Sequence, residues 1–380
     1  MKIVYCIYSM GVGGGVERVT TTKVNALVQQ GHEVVILTTD YKGQPTSYGL
    51  DKSVKIIDFG LGYAEDFNIP IWTRLFRTIS KMKRHKKAMS AFLFDYRPDI
   101  VVTTHPVETA FLPFIKDGSK KVLEYHGSKF IYRMERSAKS ILSLRGLLAR
   151  IYEQRDACIS RNFDAVILLT KEDYDSRGKQ KNMYVIPDPL SFEIQESADL
   201  SSPIVLAMGR HTEQKDFFSL VDIWEMVCDK FPDWKLRIVG DGYLKNSLIC
   251  YVQRKKLGNS ISIENGTSEV VPIYLNASIF AMTSKFEGLP MTLLEAQSVG
   301  LPIVSYACPC GPRDLLKDSE NGFLVAPSNK VEFSSRLEAL MRDESLRREM
   351  GARAKKILAA TILSISWDYG LNYSSISKHF

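Results

Sequence analysis

The stretch EGLPMTLLE, residues 287–295, places two glutamates eight positions apart around a single proline. Proline lacks an N–H and has a fixed φ, which suits the first turn of a helix, so Pro290 predicts a helix over residues 291–299. Glu287 then lies just before this helix, and Glu295 lies about one and a half turns inside it. The sequence therefore sets two carboxylates around a helix N-terminus.

The beginning of this helix has the chemistry of an anion site. The N–H groups near Pro290, Met291 and Thr292 have no acceptor within the helix and point outward with the positive end of its dipole. A diphosphate can bind there, while the carboxylates of Glu287 and Glu295 can accept hydrogen bonds from hydroxyl groups. A nucleotide sugar carries both kinds of group. The alternative is a pair of solvated glutamates on a surface helix.

Length and composition predict a soluble protein of two domains. The chain has 380 residues, 45% of them hydrophobic and 24% charged, which is typical of globular domains that each bury a core. No run of about 18 apolar residues is present, and the N-terminus lacks the pattern of a signal peptide. Six cysteines without zinc or redox spacing indicate reduced thiols, so we expect a cytoplasmic protein.

Positive charge is concentrated in the first half of the chain. Residues 1–190 carry 29 Lys and Arg against 20 Asp and Glu, a net charge of +9, whereas the remainder has a net charge of −2. Seven basic residues and no acid lie within residues 74–87, where apolar residues recur at roughly helical spacing. We expect a basic amphipathic helix over residues 72–87 that lies on an anionic membrane surface. The alternative is a solvated helix whose apolar side packs on its own sheet.

Short β-branched runs alternate with helical patterns, which predicts an α/β fold with parallel sheets. Strands are predicted at residues 2–8, 33–39, 55–58, 100–103, 121–125, 165–169 and 183–186, and then at 204–208, 235–239, 260–263, 279–282, 302–305 and 322–325. The rhythm breaks over residues 188–202. We therefore predict two doubly wound, Rossmann-like domains, 1–190 and 200–365, with ligands in a cleft at the carboxyl ends of the strands.

A glycine-rich run, GVGGGVE, covers residues 11–17 between the first strand and a helix. Glycines such as Gly14 and Gly15 allow the backbone at a helix N-terminus to approach a phosphate or a sugar. A dinucleotide-binding loop needs G-x-G-x-x-G, and Val16 occupies the position of its last glycine. Asp40, at the end of the second strand, keeps a dehydrogenase open as a hypothesis. A plain strand-to-helix turn is the structural alternative.

His126 directly follows the strand predicted at residues 121–125, at the end of the sheet where ligands bind, with Gly127 behind it. This position makes the imidazole a candidate for contact with a ligand, although a histidine at a strand end is more often structural. His105 follows the preceding strand and is the rival candidate.

Two cations follow the first strand of the second domain. Arg210 and Lys215 lie in the strand-to-helix loop GRHTEQKD, which begins at Gly209. Arginine offers a fork of donors and lysine a compact charge, so the pair suits a departing diphosphate. The alternative is an unrelated basic pair on a surface loop. Asp173 and Asp175 spell a metal-binding D-x-D, but the flanking residues favour the capped first turn of a surface helix, and we expect no metal.

These motifs resemble those of the retaining glycosyltransferases of family 4, which have the GT-B fold. Residues 287–295 are similar to the Glu-x7-Glu motif of that family, and residues 14–17 to its Gly-Gly-x-Glu loop. The loop from Gly209 is similar to Gly-Arg followed by Lys-Gly, except that Asp216 replaces the last glycine. Further similar segments are residues 239–242, 311–316 and 320–325, so the resemblance runs from residue 2 to about residue 327.

The resemblance implies a role for each candidate residue. Arg210 and Lys215 would stabilise the departing diphosphate, Glu287 would bind hydroxyls of the donor sugar, and Glu295 would bind those of the ribose. His126 would contact the sugar near its reacting carbon. The acceptor would attack from the face that the diphosphate leaves, and a phosphate oxygen would take its proton, without a metal or a cofactor besides the donor. A last helix, about residues 366–380, would pack back on the first domain.

The sequence therefore predicts a retaining, metal-independent glycosyltransferase that moves a hexose or N-acetylhexosamine onto a hydroxyl of a glycan. Residues 310–314 resemble a Gly-Pro variant common among users of UDP-sugars, so UDP is the expected nucleotide. We expect a lipid-linked acceptor at the inner membrane face, in bacterial surface polysaccharide synthesis, and no nucleic acid partner. The alternatives are a GT-B nucleotide-sugar epimerase and a nucleotide-sugar-binding subunit without activity.

Overall fold

The computed structural model describes residues 1–11, 14–46, 48–66, 70–129, 144–190 and 196–369. These residues form two compact units, each with one parallel sheet. The first unit is built from residues up to 190, and the second comprises the residues from 196 onward. Two short segments before residue 190, residues 127–129 and Thr170–Asp173, group with the second unit.

The first sheet has seven strands, and all neighbouring strands are parallel. They are β1 (Lys2–Cys6), β2 (Glu33–Thr38), β3 (Lys55–Asp58), β4 (Ile100–Thr103), β5 (Lys120–Tyr125), β6 (Ala165–Leu168) and β7 (Met183–Val185). Their order is β3-β2-β1-β4-β5-β6-β7, which reverses between β1 and β4. The buried, β-branched character of these runs explains why they sit inside a parallel sheet.

The helices that accompany the first sheet pack on it through apolar side chains. They are α1 (Gly15–Gln29), α2 (Ile71–Tyr96), α3 (Leu144–Ser160) and α4 (Lys171–Arg177). Met89 and Leu93 of α2 are fully buried and share one core cluster with Val4 of β1 and Val101 of β4. Val4 pairs in register with Val101, so α2 covers the central strands of the sheet.

The second sheet has six parallel strands in the order β10-β9-β8-β11-β12-β13, which reverses between β8 and β11. The strands are β8 (Ile204–Met208), β9 (Lys235–Val239), β10 (Ile261–Glu264), β11 (Ile279–Met282), β12 (Ile303–Tyr306) and β13 (Gly322–Val325). Both sheets thus have the doubly wound, Rossmann-like order that the alternating pattern predicted. The carboxyl ends of β8 and β11 are the expected position of a ligand.

The helices of the second unit begin with α5 and end with α11. They are α5 (Phe217–Glu225), α6 (Lys245–Arg254), α7 (Val271–Leu275), α8 (Met291–Ser298), α9 (Pro312–Leu315), α10 (Lys330–Arg342) and α11 (Glu344–Tyr369). Trp224 of α5 and Phe333 of α10 are fully buried in the main core cluster. The helix predicted over residues 366–380 begins within α11, and its remainder lies outside the described residues.

The predicted basic helix is part of α2, but one of its seven cations is buried. Lys81, His85, Met89 and Leu93 recur every four residues and form the buried side of the helix. Lys81 Nζ lies 2.7 Å from Asp66 Oδ2. Lys81 therefore belongs to the fold and not to an exposed basic surface, because an ammonium on the buried side of a helix needs an acidic partner.

Two further findings bear on the environment of the chain. Among the described residues, no helix is both long enough and apolar enough to cross a membrane. The six cysteines are free thiols, and Cys6, Cys228, Cys308 and Cys310 are buried.

Candidate active site

The carboxyl ends of β8 and β9 meet through two glycines. A Cβ added to Gly240 would lie 2.0 Å from the carbonyl oxygen of Gly209, so this approach excludes a side chain at residue 240. The N–H of His211 donates to the carbonyl of Asp241 over 2.8 Å and extends the contact. The turn after β9 thereby fixes the start of the cation-bearing loop, residues 209–216.

The cation-bearing loop ends at Asp216, where the family pattern has glycine. Asp216 has a φ of +50°, in the left-handed region, and it precedes the first residue of α5. Aspartate tolerates this conformation better than most residues with a Cβ. The Ser219 hydroxyl donates to the Asp216 carboxylate over 2.8 Å. The substitution therefore keeps the backbone path that a glycine would allow.

Lys215 and Glu287 form an ion pair with largely buried side chains. Lys215 Nζ lies 2.6 Å from Glu287 Oε1. Gln214 Nε2 donates to the carbonyl of Phe286 over 3.0 Å and lies 3.4 Å from Glu287 Oε2. The structure thus brings together two predicted site residues that are far apart in sequence. Gln214, which sequence analysis did not single out, holds the two loops against each other.

Arg210 differs from Lys215 although it lies on the same loop. Its side chain is exposed, and it forms no ion pair with the part of the chain that the structure describes. The cation-bearing loop therefore presents one sheltered, paired cation and one exposed cation on the same short segment.

Helix α8 begins where the sequence predicted it, directly after Pro290. The N–H groups of Leu293 and Leu294 both donate to the carbonyl of Pro290. The N–H groups of Met291 and Thr292, in the first turn of the helix, have no acceptor among the described residues. The Thr292 hydroxyl is also shielded from solvent without a hydrogen-bond partner there. A polar group buried in this way costs free energy unless something satisfies it.

The turn before α9 packs directly against this helix start. Gly311 has a φ of +94°, and a Cβ there would lie 2.2 Å from Pro290 Cδ and 3.1 Å from the carbonyl oxygen of Gly288. Only glycine fits both the conformation and the contact. This close packing of Gly311 restricts the position of the backbone around Pro290.

Glu295, the second acid of the motif, is deeply buried inside α8, with 1% of its surface exposed. The Tyr274 hydroxyl donates to Glu295 Oε2 over 2.7 Å, and Tyr274 is itself fully buried. The structure therefore gives Glu295 a protein partner, and its contact with a ribose stays a prediction. Tyr274 had no signal in the sequence beyond being one aromatic residue in a short helix.

The candidate glycines of the first unit lie at the N-terminus of α1, as predicted. Gly14 is the residue before the helix, and none of the described side chains caps the helix there. A Cβ on Gly14 would lie 2.4 Å from Glu17 Oε2, so the glycine allows this carboxylate to fold back over the helix start. Gly13 of the same run lies outside the described residues. Contact of Gly14 and Gly15 with a ligand stays a prediction.

His126 lies at the carboxyl end of β5, with a carboxylate oxygen near each ring nitrogen and a hydrogen bond at Nδ1. Its Nδ1 lies 3.1 Å from Asp188 Oδ2, and its Nε2 lies 3.3 Å from Glu124 Oε2. Lys23 Nζ lies 3.1 Å from Glu124 Oε2 and 2.9 Å from Asp188 Oδ1. These four residues, Lys23, Glu124, His126 and Asp188, form the His126 network. At most 12% of any of their side chains is exposed.

The charges of the His126 network stabilise one another. Burial disfavours the imidazolium, but Asp188 and Glu124 outweigh it and raise the pKa of His126 to about 9. Burial also disfavours the Asp188 carboxylate, yet Lys23 and His126 hold its pKa well below its usual range. His126 is therefore protonated at neutral pH, and both of its ring nitrogens are donors.

Sequence analysis missed the partners of His126. Glu124 lies near the end of β5, two positions before His126, and this spacing directs two side chains of an extended chain to one side. Asp188 follows β7 between two prolines, and only its position at the end of a strand could have marked it. Lys23 lies two turns inside α1 and carries no motif.

His105, the rival candidate, lies in a different environment of the first unit. It is 3% exposed, its Nε2 lies 3.3 Å from the Thr39 hydroxyl, and its ring stacks on Tyr8 with centroids 5.9 Å apart. Burial lowers the pKa of His105 below its usual value, so the ring is neutral at pH 7. Asp40, which motivated the dehydrogenase hypothesis, accepts a hydrogen bond from the backbone N–H of Ala64 over 3.0 Å.

The D-x-D pair lies on α4, whose first turn is capped as predicted. Thr170 accepts the N–H of Asp173 at its hydroxyl over 3.2 Å. Asp173 is buried and accepts the N–H of Lys129 over 2.9 Å. Within the described residues, no group of three or more His, Cys, Asp or Glu side chains is arranged to hold a metal ion.

Comparison with known families decides the assignment. The model described as "Glycosyltransferase Family 4" matches residues 13–187, and the model described as "Glycosyl transferases group 1" matches residues 192–357. The chain belongs to glycosyltransferase family 4. Membership of this family of transferases leaves the dehydrogenase hypothesis without support.

Relatives of this glycosyltransferase include proteins of bacterial polysaccharide synthesis. An uncharacterized glycosyltransferase of Haemophilus influenzae is 26% identical over 97% of this chain and 96% of its own length. The amylovoran biosynthesis glycosyltransferase AmsD of Erwinia amylovora is 33% identical over 50% of this chain and 56% of its own. A Campylobacter jejuni N-acetylgalactosaminyltransferase, whose name specifies a diphospho-undecaprenol-linked glycan, is 24% identical over 94% and 93%.

Solved structures agree on the fold. Sucrose-phosphate synthase of Thermosynechococcus elongatus superposes with a TM-score of 0.80 at 18% identity, covering 100% of both chains. Anabaena HepE in complex with UDP and glucose superposes with a TM-score of 0.74 at 16% identity, covering 99% of this chain and 100% of its own. The two parallel sheets are therefore those of the GT-B fold.

Proposed function

We propose that this family 4 enzyme is a retaining glycosyltransferase that takes a hexose or N-acetylhexosamine from a UDP-sugar. The observation that carries the proposal is the Lys215–Glu287 pair, together with the exposed Arg210 and the Thr292 hydroxyl, which has no partner in the described part of the chain. Cations, helix N–H donors and a carboxylate are the groups that a nucleotide sugar requires. HepE, a structural neighbour that binds UDP, supports the choice of nucleotide.

In the proposed reaction, the bond between the anomeric carbon and the diphosphate oxygen breaks while charge grows on that oxygen. Arg210 and Lys215 stabilise this charge, which is usually the largest contribution of such a site. The N–H groups of Met291 and Thr292 add donors at the positive end of α8. Protein cations and helix N–H groups thus supply the neutralisation for which other enzymes use a metal.

The sugar itself would bind through Glu287, whose carboxylate is already oriented by Lys215 and Gln214. The acceptor hydroxyl attacks the anomeric carbon from the face that the diphosphate leaves, forms the new glycosidic bond and gives its proton to a phosphate oxygen. Glu295, oriented by Tyr274, is proposed to bind the ribose.

A panel of donors tests this proposal. The purified chain is incubated with UDP-, GDP-, ADP- and dTDP-sugars, and the release of nucleoside diphosphate is measured with and without EDTA. We expect slow hydrolysis of one UDP-hexose or UDP-N-acetylhexosamine, unaffected by EDTA, and faster release when an undecaprenyl-diphosphate-linked saccharide is added. The anomeric configuration of the product, read by NMR, should match that of the donor.

The same panel separates the alternatives. A free, altered sugar released together with UDP without any acceptor would indicate an epimerase. Binding of UDP with no turnover of any donor would indicate a nucleotide-sugar-binding subunit. An inverted linkage in the product, or loss of activity in EDTA, would contradict retention or metal independence.

For the site of action, we propose that the exposed side of α2 binds an anionic membrane surface. Phe76 is 72% exposed and Ile79 is 40% exposed on a helix in a globular unit. The same helix exposes six cations, of which Lys83, Arg84, Lys86 and Lys87 lie closest together in sequence. Exposed apolar side chains beside cations match the two components of a bilayer surface, the acyl boundary and the anionic headgroups. A lipid-linked acceptor, as named for the Campylobacter relative, would be presented at such a surface.

Vesicle binding tests this location separately from catalysis. The wild type should bind vesicles that contain anionic lipid at low salt, and less so at 0.5 M salt, since screening acts within about 10 Å already at 0.1 M. The variant with Gln at 83, 84, 86 and 87 should lose several kcal/mol, at about 1 kcal/mol per cation. Unchanged binding by this variant would defeat the membrane proposal and leave the glycosyltransferase proposal intact.

A further inference from the structure

The His126 network places two carboxylates and one ammonium around a single imidazole. Its members come from three places in the first unit: Lys23 from α1, Glu124 and His126 from the carboxyl end of β5 and the residue after it, and Asp188 from the segment after β7. Each carboxylate contacts both cations. With His126 protonated, two positive and two negative charges balance, so the network is neutral as a whole.

A carboxylate oxygen, which can only accept a hydrogen bond, lies near each nitrogen of the imidazole ring. Nδ1 and Nε2 each face a carboxylate oxygen at 3.1 Å and 3.3 Å, and a carboxylate accepts hydrogen bonds but does not donate them. Two carboxylates and only one other cation of the network, Lys23, surround the ring, and this negative excess favours a hydrogen on both nitrogens. A ring in this state has no lone pair with which to remove a proton.

We propose that Lys23, Glu124 and Asp188 are positioning residues that hold His126 as a fixed imidazolium throughout the transfer reaction. This inference rests on the proposed function for its place in catalysis, and it assigns His126 the part of an orienting cation instead of a base. The proton of the acceptor hydroxyl must then leave on a phosphate oxygen of the departing diphosphate.

The partners of His126 have opposite effects on its protonation, which makes the proposal testable. Asp188 and Glu124 favour the imidazolium, whereas Lys23 disfavours it. Among the described residues, Tyr5 of β1 is buried beside the network and acts on Lys23. A purely structural network would lose stability with these substitutions and would also move the titration of His126, but it would leave the pH dependence of kcat unchanged.

The test is a titration of the full chain by NMR. Histidine ring nitrogens are labelled with 15N, and the His126 signal is identified by its loss in His126→Gln. In the wild type, His126 should titrate near pH 9, a measurement that needs no variant in the network. In Asp188→Asn, the midpoint should fall by about one pH unit or more, since an opposite charge has been removed. In Lys23→Met, a matched loss of one buried charge, the midpoint should not fall.

The kinetics of the active donor give the second readout. The alkaline limb of kcat against pH should move to lower pH in Asp188→Asn and should not do so in Lys23→Met. A wild-type midpoint near 6.5, or equal downward shifts in both variants, would overturn the proposal. An unmoved alkaline limb in Asp188→Asn, despite a lowered midpoint in the NMR titration, would remove the network from the reaction. If no donor is turned over at all, the proposed function fails, and the NMR titration still decides whether the ring is a fixed cation.

Discussion

The His126 network and the Lys215–Glu287 pair are both buried clusters of charge at the carboxyl ends of parallel strands, one in each unit. In the first, every charged group meets an opposite charge within the network, and each carboxylate contacts two cations. In the second, Lys215 and Glu287 pair, but Arg210 on the same loop forms no ion pair with the described chain.

This difference separates a cluster that the chain completes by itself from one that a ligand can complete. Buried charges are tolerated only when they are paired, so removing a member of the His126 network should mainly affect folding and protonation. The start of α8, which follows Glu287, adds the Thr292 hydroxyl and the first N–H groups of the helix as groups without a partner among the described residues. Changes in that region should mainly affect binding and turnover.

The largest expected effect is on stability. Asp188→Asn removes one charge from a buried network and should lower the free energy of unfolding by about 3 kcal/mol. Asp175→Asn is the matched control, because Asp175 is exposed and its ion pair with Lys179 spans 3.8 Å at the surface. That control should cost at most about 1 kcal/mol. Urea denaturation followed by circular dichroism at pH 7 measures both, and equal losses would contradict the contrast between the two clusters.

The next effect is on turnover. Arg210→Ala and Lys215→Ala should each lower kcat by roughly 10² or more, because each removes a cation from the developing charge on the diphosphate. Lys285→Ala is the matched control, since Lys285 is an exposed cation on the neighbouring loop, 3.9 Å from Asp216. Steady-state rates with the active donor are compared after thermal unfolding has shown that the variants are folded. Wild-type rates in either Arg210→Ala or Lys215→Ala would refute the assignment of the site.

The pH dependence of stability sharpens the comparison further. Because the pKa of His126 is raised to about 9, its contribution is fully present below pH 6.5 and is lost as the pH rises through about 9. The difference in unfolding free energy between the wild type and His126→Gln should therefore shrink between pH 6.5 and about pH 9. A difference that stays constant over this range would show that the ring is not held as a cation.

The smallest effect is the stabilisation by nucleotide. UDP at tenfold its dissociation constant should stabilise the protein by about 1.4 kcal/mol without added magnesium, seen as a rise in Tm. The rise should disappear in Lys215→Ala and persist in Asp188→Asn, which assigns nucleotide binding to the second unit. A rise in Tm that requires a divalent ion would bring Asp173 and Asp175 back into consideration.

Most of the predictions confirmed by the structure depend on patterns among residues that are close together in the sequence. Alternation of β-branched runs and helical patterns predicted two doubly wound units, because strand and helix periodicity depend on neighbours within a few positions. Pro290 predicted the start of α8 for the same reason, and the structure begins that helix at Met291. The D-x-D pair was correctly interpreted as a helix start, since a capping residue and the first turn are adjacent in sequence.

Partners that are distant in sequence could not be predicted in this way. Lys81 carried the same charge as its neighbours on α2, and only the packing of the helix brought it against Asp66. Glu295 fitted a motif, but its hydrogen bond to Tyr274 depends on where α7 lies against α8. In each case the sequence drew attention to one side chain but gave no indication of which residue it would pair with.

The sequence by itself determined the family and the two parallel sheets, because their motifs and periodic patterns involve residues close together along the chain. From the same kind of motif it predicted the groups that would bind a nucleotide sugar. The tertiary structure alone decided which charges are already paired. Lys23 and Asp188 are separated by 165 positions, and only the order of β1, β5 and β7 in the sheet brings them to one imidazole. Electrostatic pairing depends on distance in space and on burial, and neither quantity is carried by a local pattern.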